Sequence, residues 1–370
     1  MPKELGVALI GCGKISRKHI HCLKAVDGYQ VRLACDSDPA RAQKIAAGLD
    51  NCDATTDFNA ALARQDIDLV TICTPSGLHA SMAIEAAKNK KHVIVEKPMA
   101  LRLDEADEML DACDKNGVRL YVVKQNRYNR PIVKLKEAIQ SGRMGRPFLG
   151  GIRVLWQRDQ AYYDSEPWRG TWAMDGGVIM NQASHHVDLL IWMMGDVMSV
   201  MAACRRVSHE IETEDTAVAV LKFRGGGMAT IQATTCIQPK DLEGSLSIYG
   251  EKGSVEIGGF AANEIRRWEF ADDDKWHDDV KANWAANPKD LFAYNHQEFY
   301  KDVLNTLQKG GRALIDGMEG RRTLEVIHAI YESFETGREV FLRFQPQWCR
   351  LGAVPTETSS FGPGSRGGWL

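Results

Sequence analysis

Residues 6–16 read GVALIGCGKIS, an apolar run that stops in a tight cluster of small residues. The run has the length and composition of a strand buried on both faces. Gly11-Cys12-Gly13-Lys14-Ile15-Ser16 then matches G-x-G-x-x-G with serine at the last position. In such a turn the first glycine allows the tight bend and the second lets backbone approach a pyrophosphate. The third position needs only a small residue where helix and strand pack. RKHIHCLKAV follows, with Ile20, Leu23 and Val26 at helical spacing. A phosphate held here would sit at a helix N-terminus, where unpaired N–H groups point outward.

Strand and helix signals alternate outward from this turn. VRLACD (31–36), DLVTICTP (68–75), HVIVEKP (92–98) and VRLYVV (118–123) read as strands, with amphipathic segments between them. That order predicts right-handed parallel crossovers and a doubly wound sheet. Asp36 ends the second strand, where a carboxylate binds ribose hydroxyls. It disfavours a 2′-phosphate, and Ser37 and Asp38 add no cation, so the site favours NAD over NADP. Arg41 leaves that choice open. Ligands in doubly wound sheets lie beyond the carboxyl ends of the strands. Thr74, Pro75 and His79 follow one strand there, and Glu96-Lys97-Pro98 follows the next. His79 reads equally well as a histidine satisfied by backbone.

The pattern changes after about residue 145. PFLGGIRVLW, DTAVAVLKF, GMATIQATTCI, EGSLSIYG and KGSVEIGG are strands separated by glycine-rich turns, as in an antiparallel sheet. Residues 176–194 read as a helix, with two more near 295–309 and 316–336, then EVFLRF as a last strand. Residues 345–370 carry no apolar period and read as a flexible tail. A chain of 370 residues suits two domains, here 1–125 and 126–344.

Charged residues are 26% of the chain and its net charge is -3, which argues against a polyanion-binding surface, so neither nucleic acid nor membrane is an expected partner. No apolar run approaches the length of a membrane span. The start runs directly into a strand without a leader pattern. Nine scattered cysteines form no C-x-x-C pair, which favours a reducing cytoplasm and no structural metal.

Two constellations could carry chemistry. Lys97 follows a buried-looking strand, where desolvation lowers a lysine pKa and suits it to proton transfer or to pairing with Glu96. Asn181, His185 and Asp188 fall at i, i+4 and i+7 of the expected helix, with Val187, Leu190, Ile191 and Met194 as its packing stripe. A neutral imidazole there is a natural general base. The set 185, 186 and 188 lacks a zinc-ligand spacing. Trp156, Tyr162, Tyr163, Trp168, Arg169 and Trp172 precede this helix, an aromatic–arginine group suited to a sugar, a base or an anion.

GCGKIS, VIVEKPMAL and GGVIMNQASHHVDLL, in this order, together with the closing DGMEGRRTLEVIHAIYESFETG, resemble the Gfo/Idh/MocA oxidoreductase family over residues 4–344. The resemblance implies an α/β protein: an N-terminal Rossmann domain with a doubly wound parallel sheet, then an α/β domain with a large, mostly antiparallel, open-faced sheet. That face implies a homodimer or homotetramer, and the C-terminal helices are expected to pack back on the first domain. It also implies hydride transfer between NAD and a carbohydrate alcohol, with Lys97 and His185 as catalytic residues. The cofactor would meet Gly11, Gly13, Lys14, Ile15, Asp36, Ser37, Thr74, Pro75, His79, Glu96, Lys97, Gln125, Trp168 and Arg169. Substrate would meet Lys97, Arg158, Tyr163, Asn181, Gln182, His185 and Asp188.

Asn181 departs from the many members with Asp there, which puts their histidine–carboxylate relay in doubt. YYDSEPWRGTWAMDGGVIMNQASHHVDLLIWMMG is similar to the branch that oxidises C3 of UDP-N-acetyl-2-amino-2-deoxyglucuronate in bacterial surface-polysaccharide (O-antigen, lipopolysaccharide) synthesis. In that branch the Asn-Gln pair is normal, and 2-oxoglutarate reoxidises the cofactor in some members. The alternatives are a dehydrogenase of an inositol or other free sugar, and a non-catalytic NAD-responsive regulator.

Overall fold

The computed structural model describes residues 4–272, 274–289 and 293–342. The tail at 345–370 and the end of EVFLRF lie outside the described residues.

The alternation that opens the chain builds a six-stranded parallel sheet. Its strands are β1 (Leu5–Ile10), β2 (Tyr29–Cys35), β3 (Asp53–Thr55), β4 (Leu69–Ile72), β5 (His92–Val95) and β6 (Leu120–Val122), in the order β3-β2-β1-β4-β5-β6. The helices between them are α1 (Ser16–Ala25), α2 (Pro39–Ala46), α3 (Phe58–Ala63), α4 (His79–Lys88) and α5 (Leu103–Asn116). Every residue of β4 is buried, as a central strand covered on both faces requires. The order reverses between β1 and β4, so ligands are expected in the crevice at their carboxyl ends. β3 and α3 carry no sequence signal: DAT is three residues long and largely exposed at the sheet edge.

After α6 (Arg130–Gln140) the chain enters an eight-stranded sheet. Its elements are β7 (Pro147–Leu155), α7 (Gln160–Asp164), α8 (Ser184–Met194), β8 (Val197–Arg205), β9 (Thr216–Phe223), β10 (Met228–Thr234), β11 (Glu243–Gly250), β12 (Gly253–Gly258), β13 (Glu264–Phe270), α9 (Lys275–Asn283), α10 (Tyr294–Lys309), α11 (Gly317–Thr336) and β14 (Val340–Phe341). The order is β13-β12-β11-β7-β10-β9-β8-β14, antiparallel except for the β7–β10 pair. β8 and β13 are strands that the sequence reading does not anticipate.

Strict alternation sorts the two faces of this sheet. Ala217, Ala219 and Leu221 of β9 and Ala229, Ile231 and Ala233 of β10 point into the core. Met201, Val218, Val220, Met228 and Leu149 lie exposed on the other face. Val220 pairs directly with Met201, and Met228 with Leu149, with Thr230 and Lys222 between the two apolar pairs.

The last helices return to the first sheet. Tyr300 of α10 meets His19 of α1 (2.7 Å) and accepts from Tyr29 Oη through its carbonyl (2.8 Å). α11 packs on β6, α5 and β8 together.

Candidate active site

The cofactor end is made mostly of backbone. Gly11 has φ +91°, and a Cβ there would lie 2.7 Å from the Cys73 carbonyl, so only glycine lets β1 and β4 approach this closely. A Cβ at Gly13 would meet nothing within 4 Å, leaving open space beside the helix start. Ser16 is fully buried and donates from Oγ to Gly13 O at 2.6 Å, which accounts for serine at the third small position. No side chain caps α1, so its first N–H groups remain for an anion. Lys14 is exposed and Ile15 half-buried beside them.

Asp36 accepts from Cys12 N at 2.7 Å and Asp38 N at 2.9 Å, which fixes its carboxylate at the end of β2 next to exposed Ser37. Arg41 lies 3.5 Å from Asp38 and 3.4 Å from Glu166 at the surface. Open space at Gly13, the uncapped helix start and the Asp36 carboxylate together fit an NAD molecule without a 2′-phosphate. Thr74 and Pro75 are half-buried at the end of β4.

Two expected cofactor contacts turn inward instead. His79 is 1% exposed, and its ring nitrogens lie 2.7 Å from Pro98 O and 2.9 Å from Thr74 O. It ties the loop after β4 to the loop after β5 and offers no atom to a ligand. Glu96 points at His19 Nε2 (2.8 Å) and accepts from Lys97 N at 3.0 Å. Burial alone would raise its pKa, but the hydrogen bond and positive charge from His19, with His296 and Lys97 beside it, hold it down at about 2.

Lys97 and His185 line one small cavity, with Pro98, Lys124, Ser184 and Thr323 around them. Lys97 Nζ donates to Asn181 O at 2.7 Å and lies 3.4 Å from Asn181 Oδ1. Its pKa is lowered, mainly by burial, which Glu96 and Asp175 partly oppose. His185 lies well below the usual histidine range because of burial and the nearby Lys97 charge, so the ring is neutral. Its Nε2 lies 3.4 Å from Gln125 Nε2, so Gln125 borders the same space.

Asn181 sits on a π-turn, not on the helix. Val178–Gln182 form one π-turn, and α8 begins only at Ser184. The wider turn bulges the chain at the site, a common use of this element. Glu214 clamps it from behind: Oε1 accepts from Ile179 N (2.9 Å) and Tyr331 Oη (3.0 Å).

The turn shifts Asn181 out of the helical phase of His185 and Asp188, and the expectation that Asp188 faces substrate fails because buried cations take its carboxylate. Asp188 is 1% exposed and held by Lys124 (2.7 Å), Arg127 (2.7 and 2.8 Å) and Thr323 (2.9 Å). The carboxylate beside Asn181 is Asp175. It is buried, accepts from Gly170 N at 2.9 Å, and takes a hydrogen bond from Asn181 Nδ2. Burial raises its pKa. Its signal in the sequence is Asp directly before Gly-Gly, which alone does not reveal a partner six residues on.

The opposite wall is cationic and aromatic. Arg158 lies 3.5 Å from Gln182 Oε1 and over the rings of Trp156 and Tyr162. Arg169 lies over Tyr162 and Trp168 and donates to Tyr162 Oη at 2.7 Å. Gln182 Nε2 donates to the same hydroxyl at 3.0 Å and to Asn181 Oδ1 at 3.1 Å. Tyr162 is therefore the hub. The expected residue was Tyr163, which is 7% exposed and turned toward Thr235 Oγ1 (3.0 Å) and the His209 ring. Neighbours on a one-turn helix point about 100° apart, so only one of the pair can face the site.

A dinucleotide crevice with a half-buried lysine and a neutral histidine at its edge is the site of a nicotinamide-dependent dehydrogenase. Residues 5–124 match the profile "Oxidoreductase family, NAD-binding Rossmann fold", and residues 136–342 match "Oxidoreductase family, C-terminal alpha/beta domain". The chain belongs to the Gfo/Idh/MocA oxidoreductase family and is an NAD-dependent enzyme. It is similar to the WlbA dehydrogenase from Bordetella pertussis, solved with NADH and UDP-GlcNAcA. Identity is 40%, the TM-score is 0.89, and 93% of this chain and 99% of that chain are covered. The WlbA dehydrogenase from Chromobacterium violaceum, solved with the same two ligands, is 39% identical, with a TM-score of 0.87 and coverage of 94% and 98%. Among curated relatives, D-apiose dehydrogenase of Paraburkholderia graminis is 26% identical over 344 residues, covering 92% of this chain and 90% of the relative. Myo-inositol 2-dehydrogenase of Thermotoga maritima is also 26% identical over 344 residues, covering 91% and 98%.

Proposed function

We propose that the enzyme oxidises the C3 hydroxyl of UDP-N-acetyl-2-amino-2-deoxy-D-glucuronate to the 3-keto sugar. The observation that carries this reading is the wall of Arg158, Tyr162, Arg169 and Gln182 facing the Lys97–Asn181 contact. Two guanidinium groups beside neutral amide donors suit a sugar that carries both a carboxylate and phosphates. The likeness to two dehydrogenases solved with UDP-GlcNAcA supports the same substrate.

NAD, when bound, supplies the hydride acceptor. Gly11, Gly13, Lys14 and Ile15 would hold its pyrophosphate, and Asp36 a ribose. Neutral His185 accepts the hydroxyl proton. Lys97, kept in place by Asn181 and its Asp175 partner, donates to the oxygen as negative charge develops there. Asp175 thus supplies the carboxylate that Asn181 lacks. The apolar open face of the second sheet joins copies of the chain as a dimer or tetramer, as its exposed Met201, Val220 and Met228 suggest. The setting is the cytoplasmic synthesis of bacterial surface polysaccharide.

A second reading, oxidation of a free polyol, is favoured by the apiose and inositol dehydrogenases among the relatives. The two separate in one assay. Purified enzyme with NAD is given UDP-GlcNAcA, myo-inositol or D-apiose, and NADH absorbance is followed with and without 2-oxoglutarate. Turnover of the UDP-sugar alone supports the proposal. Turnover of a free polyol without the UDP-sugar overturns it. A 3-keto product formed with only catalytic NAD, and only when 2-oxoglutarate is present, assigns 2-oxoglutarate as the acceptor that recycles the cofactor.

A further inference from the structure

A second cluster lies behind the arginine wall. His209 and Asp215 come from the connection between β8 and β9, and Cys236 follows β10. One donor atom from each lies within 4.8 Å of the others. His209 Nδ1 is 3.0 Å from Asp215 Oδ2, and Cys236 Sγ is 3.8 Å from the same Nδ1. The histidine and aspartate are buried, and the cysteine is half-buried.

The hydrogen-bond inventory makes this contact unusual. His209 Nε2 lies 2.8 Å from Arg158 O, and a carbonyl only accepts, so Nε2 carries the ring proton. Nδ1 of a neutral ring is then a lone pair aimed at a carboxylate oxygen. Two acceptors at 3.0 Å repel unless something positive lies between them. That is either a second ring proton or a cation.

Three observations favour the cation. The thiol is a third donor atom 3.8 Å from Nδ1, and its other contacts are long, Thr216 Oγ1 at 3.7 Å and Asp215 O at 4.0 Å. The donor set is N, O and S, and a tetrahedral zinc site places nitrogen and sulfur ligands about 3.6 Å apart, from Zn–N ~2.0 Å and Zn–S ~2.3 Å. The outer contacts are those of a ligated site: the far ring nitrogen on a backbone carbonyl, and a carboxylate oriented by hydrogen bonds. Asp215 accepts from Val207 N (2.8 Å), Ser208 N (2.9 Å), His209 N (3.0 Å) and Thr216 Oγ1 (3.1 Å). His209 also lines a surface cleft with Arg206 and Glu210, which provides an entry path.

We propose that His209, Asp215 and Cys236 bind one divalent zinc-class ion, with water in the fourth position. The thiol proton leaves to solvent on binding. The ion fastens the 206–215 loop to the end of β10. Through the Arg158 carbonyl it also steadies the arginine wall. No spacing in the sequence announces this set, because the three ligands meet only across strands.

The test uses the full chain, stripped with a chelator and titrated with cobalt(II). The expected result is one equivalent bound per chain, with a thiolate-to-cobalt charge-transfer band that zinc abolishes by displacement. Zinc raises the melting temperature of the wild type. Cys236→Ser removes the band, weakens binding at least ~100-fold and abolishes the thermal shift. Circular dichroism checks that the variant is folded. The wild-type titration decides by itself if the variant is not. Absence of stoichiometric cobalt binding in the wild type overturns the proposal, as does a band that persists in folded Cys236→Ser. Neither outcome bears on the substrate assay above.

Discussion

The crevice has two walls built on different principles. The cofactor wall is built of backbone: Gly11 and Gly13 leave room for it, Ser16 ties its own turn, and Asp36 holds the Cys12 N–H. The substrate wall is built of side chains that orient one another: Lys97 meets Asn181, and Gln182 meets Tyr162. A backbone wall is vulnerable to a single methyl group. A side-chain wall is vulnerable to the loss of any member that orients the rest.

The largest expected effects test that division at the chemistry. Lys97→Ala and His185→Ala each lower kcat by about 10²–10⁴-fold, while NADH fluorescence titration gives near-normal affinity. Near-normal turnover in both removes them from the proton-transfer role.

The next test separates the two glycines. Gly11→Ala forces a Cβ to within 2.7 Å of the Cys73 carbonyl at φ +91°, so the fold loses about 3 kcal/mol or more in urea unfolding. Gly13→Ala meets open space, so stability holds and NAD affinity falls. Equal behaviour of the two breaks the assignment of a backbone-built wall.

Acidity sharpens the comparison further. His185 must be neutral to accept a proton and its pKa is lowered, so kcat persists as pH falls past the ordinary histidine value of about 6.5. Lys97 acts as an ammonium with a lowered pKa, so kcat declines on the alkaline side below the ordinary lysine value. Stability follows Glu96, whose folded pKa of about 2 lies below its ordinary value. Its contribution is complete above that ordinary value and is lost as pH falls toward 2. Glu96→Gln flattens this acid slope in a melting series.

The smallest effects compare adjacent tyrosines. Tyr162→Phe raises KM for the UDP-sugar about 10-fold, because Arg169 and Gln182 lose their shared acceptor. Tyr163→Phe leaves KM alone and costs about 1 kcal/mol of stability through Thr235. The reverse pattern would show that the wrong tyrosine has been placed at the hub.

The same division explains what the sequence reveals. The parallel sheet and its turn are legible because GCGKIS and Asp36 interact within one β-α-β unit. The open sheet is legible from two-residue alternation, although β8 is hidden directly behind the helix ending at Met194. Lys97 and His185 stand out because charge or imidazole follows apolar runs. Asp188 misleads because its partners Lys124, Arg127 and Thr323 come from other elements, and Asn181 misleads because helical phase was counted through a π-turn that no residue type marks. Asp175 is hidden because an irregular turn brings Asn181 back to it six residues on, and the choice of Tyr162 over Tyr163 depends on side-chain direction within one short helix. His79 and Glu96 lie at the right strand ends, and only their side-chain directions show that they brace loops.

The return of the last helices to the first sheet bears on the order of assembly during synthesis. His19 and Tyr29 bond Tyr300, Tyr128 donates to Asp302 at 2.7 Å, and Arg321 pairs with Asp107 at 2.5 Å. The buried ions Lys124 and Arg127 stay unbalanced until Asp188 and Glu319 have been made. A nascent chain that has emerged only to residue 130 therefore holds its nucleotide half with uncovered tyrosines and solitary cations. The half encoded first is completed last, and a ribosome must deliver nearly the whole message before either half can close.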